Sequence, residues 1–254
     1  MFLDVFYPGG FGRGLPAQAA GEPLPFPHTG ARPFPAALIC PGGGYHIIGT
    51  TEARPVSDKF TDAGYAAFIL NYTVESEKEK TGDGEVEFGS EGWDGFAPMR
   101  DLKAALGLLR GNARDFGIDP EGIVLAGFSA GGHLCAAACF SGTLAEAGLS
   151  PKALVLTYPM GGGPDSGGAG KPQPEYDIAR MPYADIPAVK GLPVFLWHAK
   201  DDEMAPFAAS ERLDARLIAE GIPHVFLIYE HGIHARPFFD PSWFLKMLNW
   251  LALI

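Results

Sequence analysis

An α/β domain with a mostly parallel central sheet and helices on both faces is the architecture that the 254-residue sequence predicts. Three observations carry that reading. Six short, almost uninterrupted apolar runs recur along the chain, as strands covered on both faces require. Amphipathic helical patterns separate them, and strands alternating with helices build right-handed βαβ units. The length suits one large domain, and a composition 47% hydrophobic and 19% charged can bury a sizeable core.

The elements follow in chain order. Residues 8–35, with seven Pro and six Gly, read as irregular. The first strong strand is Ala36–Cys40, and the second is Tyr65–Tyr72. The stretch 75–96, with eight acidic residues and five Gly, reads as a solvated loop. Met99–Arg110 is helical, because Leu102, Ala105, Leu106 and Leu109 form one apolar stripe. Ile123–Ala126 is a strand and Gly132–Phe140 a buried helix. Ala153–Tyr158 and Val194–Trp197 are strands, separated by residues 159–193 with seven Pro and seven Gly. Phe207–Glu220 is a helix stopped by Gly221 and Pro223. His224–Tyr229 is the last strand, and Pro241–Leu253 is a terminal helix with Pro in its first turn. The whole of 1–254 reads as one domain, and 159–193 is either a lid over a site or a long surface loop.

Composition also excludes function classes. Lys and Arg number 19 against 30 Asp and Glu, a net charge of −11, which argues against nucleic acid or an anionic membrane as partner. The uncharged run between Glu121 and Glu146 is broken by Gly127, Ser129, Gly131, Gly132 and His133, so it is not a membrane span. The opening Met-Phe-Leu-Asp has no basic region ahead of an apolar stretch, so no signal peptide and a cytoplasmic location are expected. Three cysteines are too few for a disulfide framework. Cys135 and Cys139, four apart, read as small buried apolar residues, and no ligand spacing calls for a metal.

Ligands of such sheets bind at the carboxyl ends of the strands. There the chain reads Gly127-Phe128-Ser129-Ala130-Gly131, a G-x-S-x-G between a strand and a helix. That context is a nucleophile elbow, a sharp turn that lifts the serine hydroxyl clear of the backbone. A serine hydroxyl needs a base, and the base needs an orienting carboxylate. After Val194–Trp197 comes His198-Ala-Lys-Asp201-Asp202-Glu203-Met-Ala-Pro206, and after His224–Tyr229 comes Glu230-His231-Gly232-Ile233-His234. Both partners therefore occur in the order Ser, acid, His that this architecture uses. Asp201 and Asp202 compete as the acid, with Glu203 and Asp165 as outsiders; His231 and His234 compete as the base. His234 is favoured because Gly232 can take a positive φ and turn the chain back toward the serine. Cys40-Pro41-Gly42-Gly43-Gly44-Tyr45 is a turn able to present bare backbone N–H groups to a developing oxyanion, with the Ala130 N–H as a further donor.

Taken together, Cys-Pro-Gly-Gly-Gly-Tyr, Gly-Phe-Ser-Ala-Gly-Gly-His, Asp-Pro-Glu-Gly-Ile, His-x-x-x-Asp-x-x-x-Pro and the late Gly-x-His resemble α/β-hydrolase esterases of the acetyl esterase and xylanase-associated type. The resemblance covers roughly residues 36–250 and implies the α/β-hydrolase fold. It implies Ser129 as nucleophile, Asp202 as acid, His234 as base, and Gly43, Gly44 and Ala130 as the oxyanion hole. The implied activity is cleavage of short-chain acyl esters, with a sugar as one alcohol, and without cofactor or metal. A small-amide hydrolase or peptidase of the same fold is the alternative. A binding module that kept the fold without catalysis is the reading from another class. His133 is expected to pack and cap at the elbow, His46 to be structural or to line the pocket, and His28, His198 and His224 to be structural or solvated. Tyr45, Trp93, Tyr158 and Trp197 are candidates for pocket walls or for core.

Overall fold

The structure, a computed structural model, describes residues 2–9, 11–16, 32–75, 77–81, 84–88, 97–161, 187–234, 240 and 242–254. Of the two readings of 159–193, the segment 162–186 lies outside the described residues, as do His28, Trp93 and Asp165.

Ten strands and seven helices are described: β1 (Phe2–Tyr7), β2 (Phe11–Pro16), β3 (Phe34–Cys40), α1 (Arg54–Asp62), β4 (Ala66–Asn71), β5 (Glu77–Thr81), β6 (Gly84–Phe88), α2 (Ala97–Gly111), β7 (Ile118–Phe128), α3 (Ala130–Phe140), α4 (Thr143–Glu146), β8 (Ala153–Thr157), α5 (Pro187–Lys190), β9 (Val194–Ala199), α6 (Phe207–Glu220), β10 (His224–Tyr229) and α7 (Ser242–Leu251). Eight strands form one sheet in the order β10-β9-β8-β7-β3-β4-β1-β2. From β10 to β4 every pairing is parallel. The strands β1 and β2 add antiparallel at the far edge. Sequence order reverses across β3 and β7, so their carboxyl ends flank the crevice where open α/β sheets take ligands.

Strand residues alternate between two apolar layers. Ala36, Leu38, Leu125, Leu154, Leu156 and Leu196 face a layer closed by α2, α3 and α6. Ala37, Ile39, Val124, Val155, Phe195 and Trp197 face the layer closed by α1 and α7. The period of two and the buried stripes of the helices account for both. In α7 the stripe is Trp243, Phe244, Met247 and Leu251, one face at helical spacing.

The structure corrects several expectations. Residues 11–16 form the edge strand β2 despite their Gly and Pro content, because β1 supplies the ladder. Residues 77–81 and 84–88 form an antiparallel hairpin where a loop was expected. The helix α1 was not foreseen; only Val56 and Phe60 among its apolar residues mark its buried face. The strand β10 sits at the sheet edge with Val225 and Ile228 exposed, so its apolar run is not covered on both faces.

Candidate active site

The strand β7 ends at Phe128 and α3 begins at Ala130, leaving Ser129 alone at the corner with φ 51° and ψ −118°. A non-glycine residue held there costs on the order of 1–3 kcal/mol, tolerated only where its surroundings over-determine it. Here they do: the Ser129 N–H donates to Thr157 O at 3.0 Å, and Ser129 O accepts from His133 N at 3.0 Å and Met160 N at 3.1 Å. The flanking glycines are sterically required. A Cβ on Gly127 would lie 2.7 Å from Gly132 Cα, and one on Gly131 would strike the carbonyl oxygens of Cys40 and Pro41. Strand, corner and helix therefore close up only with glycine at both places.

The imidazole of His234 reaches this corner from the loop after β10. Its Nε2 lies 3.0 Å from Ser129 Oγ, and its Nδ1 lies 2.7 Å from Asp202 Oδ2. An ionised carboxylate only accepts, so Nδ1 carries the proton and Nε2 presents its lone pair to the serine hydroxyl. Asp202 follows β9. Its Oδ1 accepts the N–H groups of Met204 and Ala205, both at 2.9 Å. Its Oδ2 also faces His198 Nε2 at 3.2 Å. His198 Nε2 lies 3.0 Å from Ala205 O as well, so it carries a proton, and His198 Nδ1 accepts from Ser210 Oγ at 2.7 Å. Burial pushes the Asp202 carboxyl up. The hydrogen bonds from His198, His234 and Ala205, with the field of His234, outweigh it and hold the carboxyl well below the usual range.

The rivals separate cleanly. Asp201 turns toward the loop that carries His234: its Oδ1 accepts the N–H of Gly232 at 2.6 Å and of Ile233 at 3.0 Å. Desolvation opposes its ionisation, but the N–H groups of Ile233 and Gly232 and the contact with His231 lower its pKa. His231 has a side chain 86% exposed and pairs with Asp201 at 3.4 Å, away from the serine. Glu203 is exposed. The turn that brings His234 back is made at Ile233, with φ 42°, and not at Gly232. The two N–H bonds to Asp201 hold that left-handed residue in place of a glycine.

The glycine turn after β3 lies beside the corner. A Cβ on Gly42 would be 2.8 Å from Ser129 Cβ, and one on Gly43 would meet the backbone of Ile47. Gly43 and Gly44 have φ 123° and 62°. The turn is closed by His46 N and Ile47 N on Gly43 O and by Gly49 N on Gly42 O. Among the described residues no hydrogen bond engages the N–H of Gly43, Gly44 or Ala130.

Two side chains of the site carry no motif. Glu52, 5% exposed, accepts the Gly42 N–H with Oε2 and the Tyr158 hydroxyl with Oε1, the latter at 2.5 Å. Burial raises its carboxyl above the ordinary range; Tyr158, Gly42 and His234 act against this without cancelling it. Tyr158 has φ 37°, and its ring packs on the His234 imidazole at 4.6 Å. Fully buried, Tyr158 is core that packs against His234. Trp197 backs Tyr158 at 5.4 Å from within the core. Tyr45 is core, donating to or accepting from His133 Nδ1 at 2.8 Å, so His133 packs inside α3 and does not cap it. His46 pairs with Glu75 at 3.0 Å and His224 with Asp214 at 2.9 Å. Cys40, Cys135 and Cys139 are buried thiols. Among the described residues no cluster of His, Cys, Asp or Glu is placed to hold a metal, and no helix is long and apolar enough to cross a membrane.

With this geometry in view, comparison with known proteins is informative. A profile described as alpha/beta hydrolase fold matches residues 96–231, and one named BD-FAE matches residues 24–149. The chain is 29% identical over 126 residues to an acetylxylan esterase of Xylanibacter ruminicola, covering 49% of this chain and 22% of that one. It spans between 22% and 46% of the length of three curated relatives. A sugar hydrolase from Lactococcus lactis superposes with a TM-score of 0.67 at 28% identity, covering 87% of this chain and 89% of that chain. An acetyl ester-xyloside bifunctional hydrolase from Caldicellulosiruptor lactoaceticus does so with a TM-score of 0.66 at 25% identity, covering 88% and 81%.

Proposed function

Since the chain belongs to the alpha/beta hydrolase fold family, we propose that it is a serine carboxylic-ester hydrolase acting on short acyl esters. One observation carries the proposal: Asp202, His234 and Ser129 stand in one hydrogen-bonded line at the carboxyl ends of the parallel strands. In that line Ser129 Oγ attacks the ester carbonyl as its proton passes to His234 Nε2. Asp202 fixes the imidazole tautomer and stabilises the imidazolium. The carbonyl oxygen, now negative, takes the N–H groups of Gly43, Gly44 and Ala130, each preorganised donor contributing roughly 3 kcal/mol. His234 returns the proton to the departing alcohol. Water then cleaves the acyl-enzyme by the same path, with Ser129 as leaving group. Esterase relatives whose names specify acetylxylan and acetyl ester-xyloside support an acetyl group on a sugar as substrate class.

The test is labelling with a fluorophosphonate, joined to a series of nitrophenyl esters and acetylated sugars. The probe should modify Ser129. Ser129→Ala should lose on the order of 10⁴-fold or more in kcat with its melting temperature kept. A variant retaining a tenth of the activity removes Ser129 as nucleophile. Acetyl esters should exceed octanoyl esters in kcat/KM, and the reverse order overturns the short-acyl assignment.

A further inference from the structure

Glu52 is a buried carboxylate that the mechanism above does not use. It stands in a 3-10 turn, Thr50–Glu52, at the far end of the glycine loop. Its two oxygens hold two different parts of the site. Oε2 takes the N–H of Gly42, the residue whose Cα faces Ser129, and Oε1 takes the hydroxyl of Tyr158, whose ring lies on His234. The Gly42 N–H belongs to the peptide unit entering the glycine turn, which is held at both ends: Tyr72 donates its hydroxyl to Pro41 O at 2.7 Å, and Glu52 is the acceptor of the N–H among the described residues. The loop is then closed onto the same turn by Gly49 N on Gly42 O at 2.8 Å and by Glu52 N on Gly49 O at 3.2 Å. A buried N–H left unpaired costs about 1–3 kcal/mol, so without the carboxylate the start of the glycine turn is held by the Tyr72 bond alone and shifts toward another acceptor.

Resting on the serine-hydrolase reading, we infer that Glu52 is a positioning residue for the reaction: one carboxylate sets the glycine loop for the oxyanion and holds Tyr158 against the imidazole of the base. Neither bond touches substrate. Substrate binding should therefore depend little on Glu52, whereas stabilisation of the tetrahedral intermediate should depend on it strongly. Oxyanion donors act only as well as they are aimed, and losing one costs about 10²–10³ in kcat.

The experiment compares E52A, E52D and E52Q with wild type on nitrophenyl acetate, with folding checked by circular dichroism and thermal melting. E52A should lose about 100-fold in kcat with KM within about threefold. E52Q, whose amide oxygen can accept from Gly42 and whose amide N–H can donate to the Tyr158 oxygen, should stay within about tenfold. E52D, one methylene short of both partners, should lose at least tenfold in kcat; it carries the test if E52A does not fold. Folded E52A or E52D at wild-type kcat overturns the inference, as does a loss borne by KM alone. E52Q falling as far as E52A overturns it too, since charge rather than the two bonds would then matter. None of these results bears on Ser129, whose labelling by fluorophosphonate in the wild type tests the hydrolase reading separately.

Discussion

Asp202 bonds His234 directly and Glu52 reaches it through Tyr158, and folding treats these two buried carboxylates in opposite ways. Asp202 collects the N–H groups of Met204 and Ala205 and the ring nitrogens of His198 and His234, so its charge is stabilised and its pKa falls. Glu52 collects one backbone N–H and one phenol, too little to offset its burial, and its pKa rises. The difference teaches that burial alone does not assign a carboxylate to charge chemistry; the number of donors does. In the proposed mechanism Asp202 serves as the ionised partner of His234. Glu52 is built to hold geometry.

The largest expected effect would break that comparison. Asp202→Asn places an amide against Nδ1, which favours the wrong tautomer, and kcat should fall by about 10⁴-fold. His234→Ala should lose as much, because no base then remains to take the serine proton. His231→Ala should retain kcat within about tenfold, because that side chain is exposed and faces Asp201. Steady-state rates from pH 5 to 9 on nitrophenyl acetate check all three. An Asp202→Asn loss no greater than that of E52A would erase the distinction between the two carboxylates.

The same contrast governs what was legible in the sequence. Ser129 was legible because its corner needs Gly127 and Gly131 within two residues on either side, which makes the constraint local. Asp202 and His234 were legible because each follows a strand end, and chain order fixes which strand. His198 stands four residues before Asp202 in a spacing noticed at once, yet its bond to the carboxylate needed the fold. Glu52 was not legible: its partners lie 10 and 106 residues away, and no short pattern marks such a pair. The antiparallel edge was missed for a related reason. In β1 the buried residues Leu3, Val5 and Tyr7 alternate as a strand should, but β2 reads as Gly and Pro and is a strand through its partner. Gly232 looked like the hinge of the His loop, and the strained residue is Ile233, because Asp201 supplies two acceptor bonds that no local propensity encodes.

A smaller effect sharpens the division of labour between the adjacent aspartates. Asp201 holds the turn that carries His234 through the N–H groups of Gly232 and Ile233. Asp201→Ala should release the N–H groups of Gly232 and Ile233, let the φ of 42° relax, and widen the range of His234 positions. The expected loss is about tenfold in kcat, with slower fluorophosphonate labelling of Ser129 and unchanged pH dependence. A loss equal to that of Asp202→Asn would mean that the two acids share one role.

The smallest effect is on stability and separates the two carboxylates by sign. The folded pKa of Asp202 is below its unfolded value near 3.9, so its stabilising contribution is present above about pH 4 and is lost as the pH falls further. The folded pKa of Glu52 is above its unfolded value near 4.3, so the native state binds the proton more tightly, and stability declines as the pH rises through and beyond that value. Relative to wild type, Asp202→Asn should therefore become less stable between pH 3 and pH 6, whereas E52Q should become more stable between pH 4 and pH 7. Thermal melts across that range read both differences, each kcal/mol appearing as roughly 2–4 °C in a chain of this size. Opposite slopes are required. Parallel slopes would mean that Glu52 is held as a charge, like Asp202, and that its bonds to Gly42 and Tyr158 serve electrostatics rather than position.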